Sequence, residues 1–314
     1  MTRSATGASR RARTGELRLG TSGRSRRCKK STSNDITLQA LNRSLEEDGP
    51  QKAEGQGRVG YYASNPPMSE AEQREPGLPT IDVFEYGGKR EGARQSMDRR
   101  LFMQLLVFDS PDPRPDTLAS HLGDCCSRAG VPAVIYADAM SPRGIGLLTW
   151  AESPEHFVRS VRKVLDDERL TRLVLRPNFA MIGRTYGTGH EPDLEWALLR
   201  RPVENVTNEA CPWHVWYPLR RTAAFARLDG HEQSQILREH AQIGMAYGAQ
   251  KLASDVRLAC HGLDAEDNEF VIGLVGRELH PLSHLVQAMR KTRQTSEFIA
   301  KMGPFFVGHV TKRA

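Results

Sequence analysis

From Leu101 onward, short apolar runs alternate with stretches in which apolar residues recur every three or four positions. "LFMQLLVF" (101–108) is apolar but for one Gln, which is the content of a buried strand. In "DTLASHLGDCCSRAG" (116–130), Leu118, Leu122 and Cys125/Cys126 fall at helical spacing, and Gly130 suits the left-handed residue that closes a helix. "PAVIYADAM" and "GIGLLTWA" read as two strands around a Ser-Pro-Arg-Gly turn. "SPEHFVRSVRKVLDD" carries Phe157, Val161, Val164 and Leu165 on one stripe, with Pro154 in its first turn. "PNFAMIGRTYG" is a further strand.

The second half repeats the plan. "WHVWYP" reads as a strand, "HEQSQILREHAQIGMAYGAQKL" as a helix, "VRLACHGL" and "EFVIGLVG" as strands, "HPLSHLVQAMRKTRQ" as a helix and "GPFFVGHVT" as the closing strand. Pro154 and Pro177 are 23 residues apart at the start of a helix and of the next strand, and so are Pro281 and Pro304. The expected fold is α+β: two tandem ferredoxin-like βαββαβ repeats, residues 97–205 and 206–314, with two antiparallel sheets back to back in one dimeric α+β barrel. Residues 187–210 connect the repeats, with a short helix at Leu194–Leu199. Residues 69–96 are polar with scattered Gly and Pro and read as an arm or linker.

Composition limits the function. At 314 residues and 39% hydrophobic content the chain can build a real core, and no apolar run is long enough to cross a membrane. The net charge of +6 is uneven: residues 1–67 hold 13 Lys/Arg against 6 Asp/Glu. The body is therefore near neutral, which argues against nucleic-acid binding by the fold. The Arg/Ser/Gly-rich start has no apolar core of a secretory signal; it reads as disordered, with Met68 as an alternative start. Residues 1–96 thus count as an extension. Cys28, Cys125, Cys126, Cys211 and Cys260 are odd in number and irregular in spacing, which suits a reducing cytoplasm.

Candidate chemistry gathers in the second half. Ile236, Leu237, His240, Ile243, Gly244 and Tyr247 share one face of their helix. His240 is then either a satisfied core histidine or an axial ligand to haem iron, with Gly244 letting a flat macrocycle approach. His280 and His284 are one turn apart, but lack a third ligand for zinc. In "CPWHVWYPLRRT", Trp213, Val215 and Tyr217 face one way, His214 and Trp216 the other. Pro218 is expected to end the ladder and leave Tyr217 at a strand end. Tyr217 either caps the core or faces a cofactor, and Arg220 and Arg221 are either solvated or hold carboxylates such as haem propionates.

"REHAQIGMAYG", the upstream "YPLRR" and the closing "GPFFVGHVT" together resemble the chlorite dismutase-like haem proteins, over about residues 97–314. The resemblance implies a haem-binding second repeat, His240 as proximal iron ligand and a homo-oligomer, often a pentamer. It implies one of two activities: chlorite decomposition to chloride and dioxygen, or hydrogen peroxide-driven decarboxylation of iron coproporphyrin III (coproheme) to haem b. In the decarboxylases the tyrosine of a Tyr-Pro motif becomes a radical, and a basic residue, usually Lys, follows four positions later. Tyr217 and Arg221 match that spacing; Arg221 keeps the charge but not an easily transferred proton. Arg220 and Arg221 are the implied propionate clamp, with Arg184 and Tyr186 as further candidates. Glu297, Asp264 or another carboxylate is expected to orient the Nδ1–H of His240. Chlorite dismutases carry a distal arginine where "ASDVRLACHGLD" offers Asp255 or Ala253, with Arg257 nearby but out of register. The resemblance therefore favours decarboxylation, with chlorite dismutase or haem peroxidase, and a non-catalytic haem-binding module, as the alternatives.

Overall fold

Period-two apolar patterning produces strands, and in a computed structural model that describes residues 78–314 the strands from 102 onward make one continuous antiparallel sheet. The basic start, Met68 and the beginning of the expected arm lie outside the described residues. The rest of the arm is not a linker. β1 (Glu85–Arg90) and β2 (Ala93–Met97) pair as a ribbon. The ribbon is polar on both faces, so its pattern gives no strand signal. Its support is instead tertiary: Gln95 Nε2 donates to the carbonyls of Glu191 (3.0 Å) and Pro192 (3.1 Å), and its Oε1 accepts from Leu194 N (3.0 Å).

In the body, β3 (Phe102–Asp109) leads to α1 (Pro115–Ala129), β4 (Ala133–Asp138) and β5 (Gly144–Ala151). Helix α2 (155–165) opens with a π-helical turn at Phe157–Val161 and precedes the short β6 (Val174–Leu175) and β7 (Met181–Arg184). The connector helix α3 spans 194–207, starting where the short helix expected at Leu194–Leu199 starts but running eight residues further, and has its own π-helical turn at Trp196–Arg200. Then come β8 (Trp213–Arg221), α4 (Gly230–Ala249), β9 (Ser254–Ala259), β10 (Phe270–Gly276), α5 (Leu279–Met289), α6 (Arg293–Phe298), β11 (Ile299–Met302) and β12 (Phe306–Arg313).

The sheet runs β8–β10–β9–β7–β3–β5–β4–β12 and returns to β8, so it closes into an eight-stranded ring rather than two separate back-to-back sheets. Short β6 and β11 pair with β3 and β8. Inward residues of the strands form the central core: Met103, Leu105, Tyr136, Trp216, Val256 and Phe306 are each at most 2% exposed. Outward residues alternate with them and meet helices. Ile135, Ile145 and Leu147 pack under α1 and α2, and Val215, Tyr217 and Leu274 under α4 and α5. Gly273 is required by the interior, since a Cβ there would lie 2.6 Å from the Trp216 ring. Among the described residues no helix is long and apolar enough to cross a membrane.

β8 does not stop at Pro218. It continues to Arg221, with Pro218 opposite Val271 of β10. The reason lies on its other edge. Pro218 O accepts from Gly303 N (2.8 Å), in the stretch where β11 has ended and β12 has not begun. The missing proline N–H therefore falls at a gap in the ladder, and Tyr217 sits inside a strand, 6% exposed, not at its end.

Candidate functional site

Strand register builds one wall of the site. Cross-strand partners share a face, so three rows face the helices: Val215, Leu274 and Asp255; Tyr217, Ile272 and Arg257; Leu219, Phe270 and Ala259. Tyr217 stacks on Phe305, ring centroids 4.6 Å apart. Burial pushes its phenol well above the usual tyrosine range; the charge of Asp255 adds to this and that of Arg290 opposes it. Tyr217 is thus a neutral phenol at physiological pH.

Between this wall and α5 lies a cavity of about 480 Å³, lined by Val215, Leu282, Val286, Phe305, Val307 and Arg290 among others. That volume suits a small-molecule ligand. Its one cationic lining residue, Arg290, has no carboxylate partner among the described residues. Val286 and Arg290 stand one turn apart, a spacing consistent with a lining role, but a single arginine at a helix end carries no sequence signal of that role.

α4 supplies the histidine. Its start is fixed by Asp229, whose side chain accepts from Glu232 N (2.9 Å). Ile236, His240, Ile243, Gly244 and Tyr247 face inward, whereas Leu237 is 41% exposed and does not share that face. A Cβ at Gly244 would meet only the Met289 methyl, at 3.6 Å, so the helix surface is open there. His240 Nδ1 lies 3.4 Å from Thr292 Oγ1. The Thr292 hydroxyl donates to Met289 O at 2.8 Å. Its oxygen is then left to accept from Nδ1–H, and the proton-free lone pair falls on Nε2. Burial, and then the charge of Arg257, hold the His240 pKa below the ordinary value, against Asp255 and Glu239. The imidazole is neutral, as an iron ligand must be. Among the described residues neither expected carboxylate orients it: Glu297 pairs with Arg293 (3.0 Å), and Asp264 accepts from Asn268 Nδ2 (2.8 Å) in its own turn.

The other candidates divide. Arg221 shares the outward face of β8 but donates to Glu269 (3.0 Å) and lies 4.7 Å from the centroids of both Phe225 and Phe270. Tyr186 packs on the same Phe270, at 5.6 Å, and burial raises its pKa. Asp255 accepts from Arg201 of α3 and pairs with Arg257 (3.1 Å). Burial pushes the Asp255 carboxyl up, but the two arginines outweigh that and hold it below its ordinary value. Arg220 alternates to the opposite face and pairs, exposed, with Asp267 (3.4 Å). Arg184 is bound to Glu85 of the ribbon at 2.6 Å. Tyr217, His240, Asp255 and Arg257 thus border one layer, with Arg221 and Tyr186 at its Phe270 end. Arg220 and Arg184 are directed elsewhere. Sequence reading had no means of finding Arg201 or Thr292, whose roles depend on contacts made across the fold.

Residues 199–311 match the family model described as Chlorite dismutase. That region, about a third of the chain, holds Tyr217, His240, the cavity and the Asp255–Arg257 pair. No curated protein matches the chain in sequence. Among solved structures, a haem-binding protein from Thermus thermophilus is similar with TM-score 0.54 and 14% identity, over 68% of this chain and 92% of that one. A mutant chlorite dismutase from Candidatus Nitrospira defluvii is similar with TM-score 0.52 and 14% identity, over 69% and 93%. At such identities the likeness speaks for the fold, which is the mixed α+β fold of chlorite dismutase-like structures.

Proposed function

We propose that the protein is a haem-dependent oxidoreductase that uses hydrogen peroxide to decarboxylate coproheme to haem b. One observation carries the reading: a buried neutral phenol, Tyr217, and a neutral imidazole, His240, whose Nδ1 is engaged by Thr292, both lie within the field of Asp255, and Phe305, which stacks on Tyr217, also lines the apolar cavity. The residues fit an iron porphyrin. His240 would hold the iron through Nε2 while Thr292 keeps Nδ1–H engaged. The open surface at Gly244 leaves room for a flat ring. Arg290, and Arg221 at the far end of β8, would bind propionate carboxylates.

A bound iron porphyrin supplies the peroxide-driven redox chemistry by which two propionates become vinyl groups with loss of CO₂. The chain's own part is positioning and hydrogen transfer. Tyr217 would exchange a hydrogen atom at Oη. Arg221 stays protonated, so it can orient a carboxylate but not take the phenol proton. Asp255, kept ionised by Arg201 and Arg257, would contribute negative charge that acts on both Tyr217 and His240. The same proposal includes tandem ferredoxin-like repeats at 97–205 and 206–314, a homo-oligomer, pentameric in the fullest form, and a cytoplasmic setting. Strand, helix, strand, strand, helix, strand recur from β3 to β7 and from β8 to β12, which supports the repeats.

Chlorite decomposition is the second reading, favoured by Arg257, which lies on the Tyr217 row beside His240. Variants separate the two. Coproheme added to the protein should give a red-shifted Soret band that His240→Ala removes; an unchanged band would dismiss the ligand assignment. Tyr217→Phe should keep the band and lose decarboxylation. Dioxygen release from chlorite that survives Tyr217→Phe and stops in Arg257→Ala would support the second reading instead.

A further inference from the structure

Over the first half of the barrel, a group of side chains has no part in the reading above. His121 and Cys125 stand one turn apart on α1, and Asp167 follows the end of α2. His121 Nε2 is 2.8 Å from Asp167 Oδ1 and 3.5 Å from Cys125 Sγ, and Cys125 Sγ is 3.6 Å from Asp167 Oδ2. One donor atom from each residue falls within 4.8 Å of the others.

We propose that His121, Cys125 and Asp167 form a zinc site with one open position. Zinc bonds of about 2.3 Å to sulfur and roughly 2.0–2.2 Å to nitrogen and oxygen, at tetrahedral angles, set donor atoms roughly 3.4–3.6 Å apart. The two distances to sulfur already have that length. The short His121–Asp167 contact is the hydrogen bond that a metal would replace, with the pair opening by about half an ångström. A borderline set of thiolate, imidazole and carboxylate selects zinc over calcium or magnesium. The pair on α1 is held by its packing, since the neighbouring Leu122 and Cys126 are fully buried. Asp167 lies on the solvent side with its side chain 31% exposed, which provides an entry path and room for a water ligand. The surroundings orient the donors: Arg169 N donates to Asp167 Oδ1 (3.0 Å), and Arg128 Nη2 donates to Cys125 Sγ (3.0 Å). A metal-bound thiolate can keep accepting that hydrogen bond, which offsets part of its charge.

Cobalt(II) titration of the full-length, chelator-treated protein tests the site. The expected result is one thiolate-to-cobalt charge-transfer band that saturates at one metal per chain, is displaced by zinc and is lost in Cys125→Ser. Asp167→Asn should keep the far-ultraviolet circular dichroism and bind at least about tenfold more weakly. His240→Ala should leave the band unchanged, which separates this site from the iron ligand. A plain His–Asp pair beside a packed thiol predicts no such band. Its absence at stoichiometric cobalt, its survival in Cys125→Ser, or unaltered affinity in Asp167→Asn overturns the proposal.

Discussion

Thr292 has two roles through one oxygen. It caps α6, accepting from Thr295 N, and it takes the Nδ1–H of His240. Thr292→Val should therefore cost about 1 kcal/mol of stability through the lost cap. It should also weaken porphyrin-iron ligation about tenfold, because the imidazole tautomer is no longer fixed. Thr292→Ser should restore both. Spectral titration beside urea unfolding measures the two effects; a variant that loses only stability would remove Thr292 from the site. His214 makes a second residue-scale claim. In the barrel interior it accepts from the Tyr136 hydroxyl at Nδ1 (2.8 Å) and donates from Nε2 to Cys211 O (3.2 Å). Burial pushes its pKa from 6.5 down to about 3. The unfolded chain thus binds a proton that the folded chain refuses, so stability is full above about pH 6.5 and falls as pH drops toward 3. Urea midpoints at about pH 4 and about pH 7 should differ less in His214→Gln than in the parent protein. At this scale the sequence was partly readable. Tyr217 and His240 stood out because an aromatic-rich strand and a histidine on an apolar helix face are local patterns. The carboxylates expected beside His240 did not hold, because Thr292 reaches it from a segment 52 residues away.

Elements were the most legible level, and the failures have physical causes. Strand faces on β8 and the helix ending at Gly130 follow from local periodicity and from a left-handed residue (φ 63°) that glycine adopts without strain. The β1–β2 ribbon escaped because it has no apolar face, and Pro218 misled because the ladder gap that tolerates it is made by distant residues 303–305. Close packing inside the ring gives the test at this scale. Gly273→Ala sets a methyl 2.6 Å from the Trp216 ring, and overpacking of this kind costs about 1–3 kcal/mol. The urea midpoint should fall accordingly; an unchanged midpoint would mean that the interior has slack around Trp216.

At the scale of the whole molecule, β8 joins the ring to β10 on one side and to β12 on the other, and β12 pairs with β4 of the first half. Residues 78–314 share interior contacts around the closed sheet, so the two halves should unfold together: Trp fluorescence and circular dichroism should give coincident urea transitions. Two resolved transitions would show the halves to be separable. The βαββαβ order and a barrel were visible in the sequence, but the picture of two sheets back to back was not right, since the β4–β12 and β7–β9 pairings that join the halves into one ring depend on the arrangement of distant segments. That closure positions the layer between β8 and α4, and the central claim is that this layer decarboxylates coproheme. Its most direct test is to incubate the protein with coproheme and hydrogen peroxide and follow the porphyrin by mass spectrometry. The account predicts sequential loss of two CO₂ to give haem b, dependent on Tyr217. Coproheme that binds through His240 and keeps all its propionates under peroxide, with Tyr217 intact, would contradict it.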